Sequence, residues 1–202
     1  MRIRFIFFIT TAITSIMLAS VATAEEAVAS NSKKNAIIVK LGSFTLDETR
    51  GTVLGTSTIY DEDSSSVFDI EYTRKFGDNF AYGGGAAHYS NTYIRGGSAG
   101  DIDTFIVTAN IKKYFDVAQY FQPFVGAGVG FSLVDVSGPV SGSASGLAAS
   151  LSVGAEIPFK YVGIHLEYKY ISSSAEGETV FGQTADFEVG GSGIFAGVAV
   201  HF

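Results

Sequence analysis

The sequence predicts an all-β fold, an eight-stranded antiparallel transmembrane β-barrel wound as an up-and-down meander. Three observations predict it. Apolar residues recur at every second position in segment after segment. The connections between these segments alternate between short and long. The chain also stops on Phe202, an aromatic residue inside such a segment, where a soluble domain usually ends in a frayed polar tail.

The amino terminus reads as a leader. Arg2 and Arg4 precede an apolar stretch from Phe5, which Thr10, Thr11, Thr14 and Ser15 interrupt before Ala22-Thr23-Ala24. A basic start, a short apolar core and a small-x-small close make a secretory signal, not a membrane anchor. The expected organisation is a signal peptide over 1–24, an N-terminal periplasmic stub over 25–34 and the barrel over 35–202.

Composition narrows the function classes. The full chain carries 13 Lys and Arg against 20 Asp and Glu, and losing the leader makes it more acidic. Such a chain repels a phosphate backbone, so no nucleic acid is expected as partner. There is no cysteine, hence no disulfide framework and no thiolate metal site. Glycine is abundant at 24 and proline scarce at 3, with 17 Phe and 10 Tyr. After the leader no apolar run is long enough to span a bilayer as a helix.

The strands follow in order. "AIIVKLGSF" (Ala36–Phe44) is the first, with imperfect alternation. In "VFDIEYTRKF", Phe68, Ile70, Tyr72 and Phe76 oppose Asp69, Glu71, Thr73 and Lys75, and Arg74 breaks the apolar phase. "FAYGGGAAHYSNTY" (Phe80–Tyr93) is third. In "DTFIVTANIKKYF", Phe105, Val107, Ala109 and Ile111 oppose Thr104, Thr108, Asn110 and Lys112. In "FQPFVGAGVGFSL", Val125, Ala127, Val129, Phe131 and Leu133 oppose three glycines and Ser132. In "LAASLSVGAEIPF", Leu147, Leu151, Val153 and Ile157 oppose Ser150, Ser152, Gly154 and Glu156. In "YVGIHLEYKY", Val162, Ile164, Leu166, Tyr168 and Tyr170 oppose Gly163, His165, Glu167 and Lys169. The last, "GIFAGVAVHF", sets Ile194, Ala196, Val198, Val200 and Phe202 against Phe195, Gly197, Ala199 and His201. A strand sends alternate side chains to opposite faces, so each segment has an apolar face and a small or charged one.

Residues 77–79, 116–120 and 158–160 form the short connections. Asp47–Ser64, Arg95–Asp101, Ser137–Ser145 and Ser174–Thr184 read as longer polar loops. Short turns at one end and long loops at the other are the layout of an outer-membrane barrel. A soluble sandwich also alternates, but a face of glycine, serine and charge does not make a dry core. Closing the sheet satisfies every backbone group without water.

Tyr120–Val136 resembles the fifth strand, and Val162–Ser174 the seventh, of small outer-membrane barrels in the OmpA-like and opacity-protein superfamily. The resemblance covers the mature chain by pattern. It implies an eight-stranded barrel in the outer membrane of a Gram-negative bacterium, without the periplasmic cell-wall domain of full OmpA-type proteins. Phe202, with Val200 and Val198 before it, resembles the C-terminal signal read by the outer-membrane assembly machinery.

With the apolar faces outward, the lumen collects Lys40, Lys75, Lys112 and Lys169 against Asp69, Glu71, Glu156 and Glu167, with His165 beside them. Eight strands leave room inside for little beyond side chains. Balanced charge predicts crossed ion pairs and a plugged barrel, where a selective channel tends to favour one sign.

Surplus acid falls in the loops: Asp47, Glu48, Asp61, Glu62 and Asp63, then Asp101 and Asp103, then Glu176 and Glu178. "YDEDSSS" offers clustered oxygens of the kind calcium takes. A solvated acidic loop is the preferred reading, and no metal or other cofactor is expected. "GAGVG" (Gly126–Gly130) lies within a strand with no helix after it, so its glycines read as room-makers and not as a phosphate cradle.

One motif carries possible chemistry. "HYSN" (His88–Asn91) is similar to the His-x-Ser-Asn motif of the lipid A deacylase family. The likeness implies Ser90 as nucleophile, His88 as base and Asp103 or Asp101 as the orienting acid. The family acid is glutamate, however, and its motif lies near the chain end. The facing is also divided: Phe80 and Tyr82 put His88 outward, Tyr89 and Tyr93 put it inward. A rim histidine and serine bonded to neighbours is the preferred reading. The expected protein is therefore a non-enzymatic, monomeric barrel with a structural or cell-surface role. Its partners would be outer-membrane lipid and lipopolysaccharide, the assembly machinery and an unnamed surface ligand. A small porin is the alternative and a lipid A esterase the second.

Overall fold

A computed structural model describes residues 33–202 except 54–55, 61–63, 78, 96–97, 119, 139–140 and 180–183, and side chains outside 46–64, 92–99 and 178–189. The expected leader and most of the expected stub lie outside the described residues.

Nine strands follow one another: β1 (Asn35–Val53), β2 (Thr56–Tyr60), β3 (Ser64–Phe76), β4 (Phe80–Arg95), β5 (Ser98–Tyr114), β6 (Gln122–Ser137), β7 (Gly142–Pro158), β8 (Val162–Thr179) and β9 (Thr184–His201). They form one antiparallel meander, and β1 pairs with β9 to close it. β3 pairs with Asn35–Thr45 of β1, and β2 with Thr49–Val53 further along it. The two short strands thus share one stave, and the wall has eight. Along Asn35–Thr45 of β1 closure leaves no free edge, and that is what hydrocarbon demands of a sheet; higher up, β2 pairs with β1 alone among the described residues.

The four stretches read as long loops are largely strand. β1 and β2 occupy much of 47–64, β4 and β5 run to Arg95 and from Ser98, and β7 begins at Gly142. Their polar, Gly- and Ser-rich composition points to coil. Ladder hydrogen bonds to an already formed neighbour override it. At the opposite end the turns are tight. Gly77 and Asn79, at φ 55° and 76°, occupy the left-handed region between β3 and β4, a conformation open to glycine and tolerated by asparagine.

The apolar face points outward. Ile70, Val107, Val129, Phe131, Leu147, Leu151 and Ile194 are all exposed on the outer wall, as a lipid-facing band requires. At the end with the tight turns, Phe76, Phe80, Phe115, Phe121, Tyr161 and Phe202 form an exposed aromatic girdle.

Inside, glycine makes room. A Cβ on Gly126 would lie 2.6 Å from Ser152 Oγ and 3.1 Å from Lys112 Cγ, and one on Gly197 2.7 Å from Lys40 Cγ. The lysine stems cross the lumen over these positions. A Cβ on Gly128 would collide with Asn110 Oδ1 and lie 2.7 Å from Ser150 Oγ. Gly128→Val is therefore expected to destabilise the folded barrel by about 1–3 kcal/mol, read from urea unfolding in lipid vesicles. A neutral result would mean that the lumen is looser than this packing.

Candidate functional site

The candidate site is the lumen, built in layers from the turn end upward. At its centre lies the side chain of Lys40, fully buried. Its Nζ donates to Glu167 Oε2 at 2.6 Å and Glu71 Oε2 at 2.9 Å, and stands 3.2 Å from Asp69 Oδ2. Lys112 Nζ donates to Glu71 Oε2 at 2.8 Å, and Lys169 Nζ to Asp69 Oδ2 at 2.6 Å. Lys112 also lies over the Phe124 ring and Lys169 over that of Phe195. Three lysines and three carboxylates thus share one connected cluster across β1, β3, β5 and β8.

Glu156 extends the cluster toward the turn end. His201 Nε2 stands 3.0 Å from Glu156 Oε1, and His165 lies between Glu156 Oε2 at 3.6 Å and Glu167 Oε2 at 3.5 Å. Phe124 stacks on His165 with centroids 4.8 Å apart, and Tyr114 packs against Phe124. Register explains the gathering. Lys40 pairs with Gly197, Gly197 with His165, and His165 with Glu156. The glycine between Lys40 and His165 leaves the space that the Lys40 stem uses.

Above the charges the lumen turns apolar. Phe44, Val67, Tyr89, Ile102, Ile106, Val134, Ile171 and Phe195 belong to one buried cluster toward the far end. Phe44 and Tyr89 face each other at 5.0 Å. The hydroxyls of Ser132 and Ser173 share a buried hydrogen bond at the same level.

Eight of the nine residues expected in the lumen network sit together there. Lys75 does not. It lies at the turn-end mouth, half-buried, and its Nζ donates to Gln122 Oε1 at 3.4 Å. The reason is height: alternation fixes which face a residue takes, not its depth. His201 was missed as a member of the network, although its parity already put it on the lumen face.

The "HYSN" strand is also placed. Tyr89 is buried inward, so His88 and Ser90 face outward near the upper rim. His88 Nε2 stands 3.8 Å from Asp103 Oδ1, with the two side chains 55% and 49% exposed, and Ser90 pairs with Asp103 in register. The pair is open to solvent and longer than a hydrogen bond. Asp103 also faces Asp135 across β5 and β6, an acid the sequence reading did not single out. Asp101 lies two residues before it on β5, and its backbone carbonyl accepts from Ser137 Oγ at 3.4 Å. Asp61, Glu62 and Asp63 of "YDEDSSS" lie outside the described residues.

Phe202 is exposed at the seam. Its N–H donates to the Asn35 carbonyl at 2.9 Å, and its carbonyl accepts from the Asn35 N–H at 3.1 Å. Val198 and Val200 pair with Val39 and Ile37 of β1.

Solved structures share the fold. Neisserial surface protein A superposes with a TM-score of 0.57 at 14% identity, covering 83% of this chain and 99% of that one. The outer membrane protein OprG of Pseudomonas aeruginosa gives 0.61 at 16%, covering 84% and 97%. The outer membrane protease OmpT of Escherichia coli gives 0.50 at 9%, again covering 84% and 97%. Likeness at these identities speaks for fold alone, and a fold shared with a protease assigns no activity. No curated protein sequence matches this one. The family model described as outer membrane protein beta-barrel domain matches residues 13–202. A closed eight-stave wall with lipid-compatible side chains outside agrees with that match, and the chain belongs to the outer-membrane β-barrel family.

Proposed function

We propose that this protein is a closed, non-conducting barrel in the outer membrane of a Gram-negative bacterium, acting structurally or through contacts at its extracellular end. One observation carries the reading. A buried ion-pair cluster fills the lower lumen, and a buried apolar cluster lies directly above it. A hydrated ion on this path would displace tightly bonded charges. It would then cross a layer walled mainly by apolar side chains, where the Ser132 and Ser173 hydroxyls already bond each other, and burying an unpaired charge there is costly.

The extracellular end is acidic where side chains are described, through Asp101, Asp103, Asp135 and Glu176 on β5, β6 and β8. That suits contact with lipopolysaccharide through bridging cations, or with a basic surface ligand. His88 and Ser90 serve as polar rim groups. The C-terminal strand, ending at Phe202, serves as the label for the assembly machinery, and the barrel works as a monomer.

The test is single-channel recording of the refolded protein in a planar bilayer. Silence from protein that migrates as a folded species supports the plug. Discrete, reproducible conductance steps would overturn it and make this a small porin.

A further inference from the structure

The lysine that left the lumen network helps build a different site. At the periplasmic mouth a cavity of ≈ 440 Å³ is lined by Lys33, Lys34, Lys75, Asn79, Tyr114 and Gln122 among others. Among the described residues no carboxylate lines it; Asp78, between Gly77 and Asn79, lies outside the described residues. Lys75 spends one donor on Gln122 Oε1 and lies 5.3 Å from the Tyr114 ring centroid. Among the described residues, neither Lys75 nor Lys34 pairs with a carboxylate. Lys33 donates to the His201 carbonyl at 3.1 Å and covers the Tyr161 ring at 3.7 Å. Asp116 is held by Asn79 Nδ2 at 2.6 Å on the exposed turn.

This differs from every other lysine in the lumen. Lys40, Lys112 and Lys169 each touch at least one carboxylate. An ammonium has three donors, so Lys34 and Lys75 have bonding capacity that the described residues do not use. The backbone holds both residues in place, since the Lys75 N–H donates to the Lys34 carbonyl at 2.7 Å. The height of the cavity matters too. Phe76 lines it and is exposed on the outer wall, in the aromatic girdle. Such girdles sit at headgroup level.

We infer that this mouth cavity is a binding site for a phosphate oxyanion, with Lys34 and Lys75 as its charged donors, Lys33 at its edge and the Asn79 and Gln122 amides as neutral partners. Two sources present that chemistry there: the headgroup of a phospholipid in the periplasmic leaflet, with its tails along Phe76, and free phosphate.

The experiment uses the full mature chain, refolded. In one arm the protein is extracted from mixed micelles holding phosphatidylglycerol and diacylglycerol of matched chains, and retained lipid is counted by native mass spectrometry. In the other, inorganic phosphate is titrated against chloride at matched ionic strength, and the Asn79 and Gln122 side-chain resonances are followed. Preferential retention of phosphatidylglycerol by about tenfold, the worth of one charge-assisted contact, supports the headgroup source. Shifts driven by phosphate alone support the free ion. The Lys34→Gln/Lys75→Gln variant should lose either response and Lys34→Arg/Lys75→Arg should keep it. Should the double variant fail to show the heat-dependent gel shift of a folded barrel, Lys34→Gln alone, at an exposed position, carries the comparison. Equal retention of the two lipids without phosphate-driven shifts overturns the site. So does a response that the glutamine variants leave intact.

Discussion

Lys40→Met is expected to be the most damaging single change in the wall, lowering the stability of the folded barrel by about 3–5 kcal/mol. The side chain is of similar length, so the loss is one of charge and not of bulk. Lys40 Nζ stands within 3.2 Å of oxygens from Asp69, Glu71 and Glu167, and all three carboxylates are buried. Without it Asp69 keeps Lys169 and Glu71 keeps Lys112, but Glu167 is left with Lys112 and Lys169, each at 3.9 Å, and with the His165 ring at 3.5 Å. A buried carboxylate without a close cation costs its desolvation with little return. Adding Glu167→Gln should recover part of the loss, since neighbouring changes in one network do not add. The measurement is the urea midpoint in lipid vesicles for the single and double variants. A double variant as unstable as the sum of its parts would show that Lys40 acts alone.

Phe202→Ser is expected to act elsewhere. The aromatic ring is exposed, and the backbone bonds that close the seam, Phe202 with Asn35 in both directions, survive the change. Stability of the refolded barrel should therefore shift by about 1 kcal/mol or less, the loss of one ring from the aromatic girdle. In cells the same variant should leave the outer membrane nearly empty and accumulate in the periplasm, because the proposed assembly label is gone. Membrane fractionation beside in vitro refolding separates the two effects. Normal outer-membrane levels of the serine variant would remove Phe202 from that role.

The parts of the fold legible in the sequence are those where the two faces obey different rules. Along β6 to β9 the lipid side takes Val125, Leu151, Tyr168 or Ile194, while much of the lumen side takes glycine, serine or charge, as at Gly126, Ser152, Glu167 and Lys169, with Phe124, Val134, Ile171 and Phe195 as exceptions. The contrast vanishes where the lumen becomes apolar. Ile102 and Ile106 point inward while Phe105 and Val107 point outward, so period two carries no signal there. The facing of His88 was divided for the same reason, because Tyr89 enters the apolar layer. Depth was also out of reach. Lys75 and Lys112 share a face by parity, yet barrel stagger sets one at the mouth and the other against Glu71. The upper hairpins were hidden by composition, since nothing local in Ser143–Gly146 announces that β6 and β8 will hold it extended.

The bond from Lys40 to Glu167 joins positions 127 residues apart, on the first and eighth strands. A sheet still flat holds these two near opposite margins, with the bond between them unmade. Hydrocarbon rejects such a sheet, whereas the wet periplasmic side tolerates it. Entry into the bilayer is thereby tied to curling, and the chain leaves water only as the seam between β1 and β9 shuts. Contacts this distant in sequence form late and slowly. The bonds that hold the finished wall are thus among the last that the chain can make.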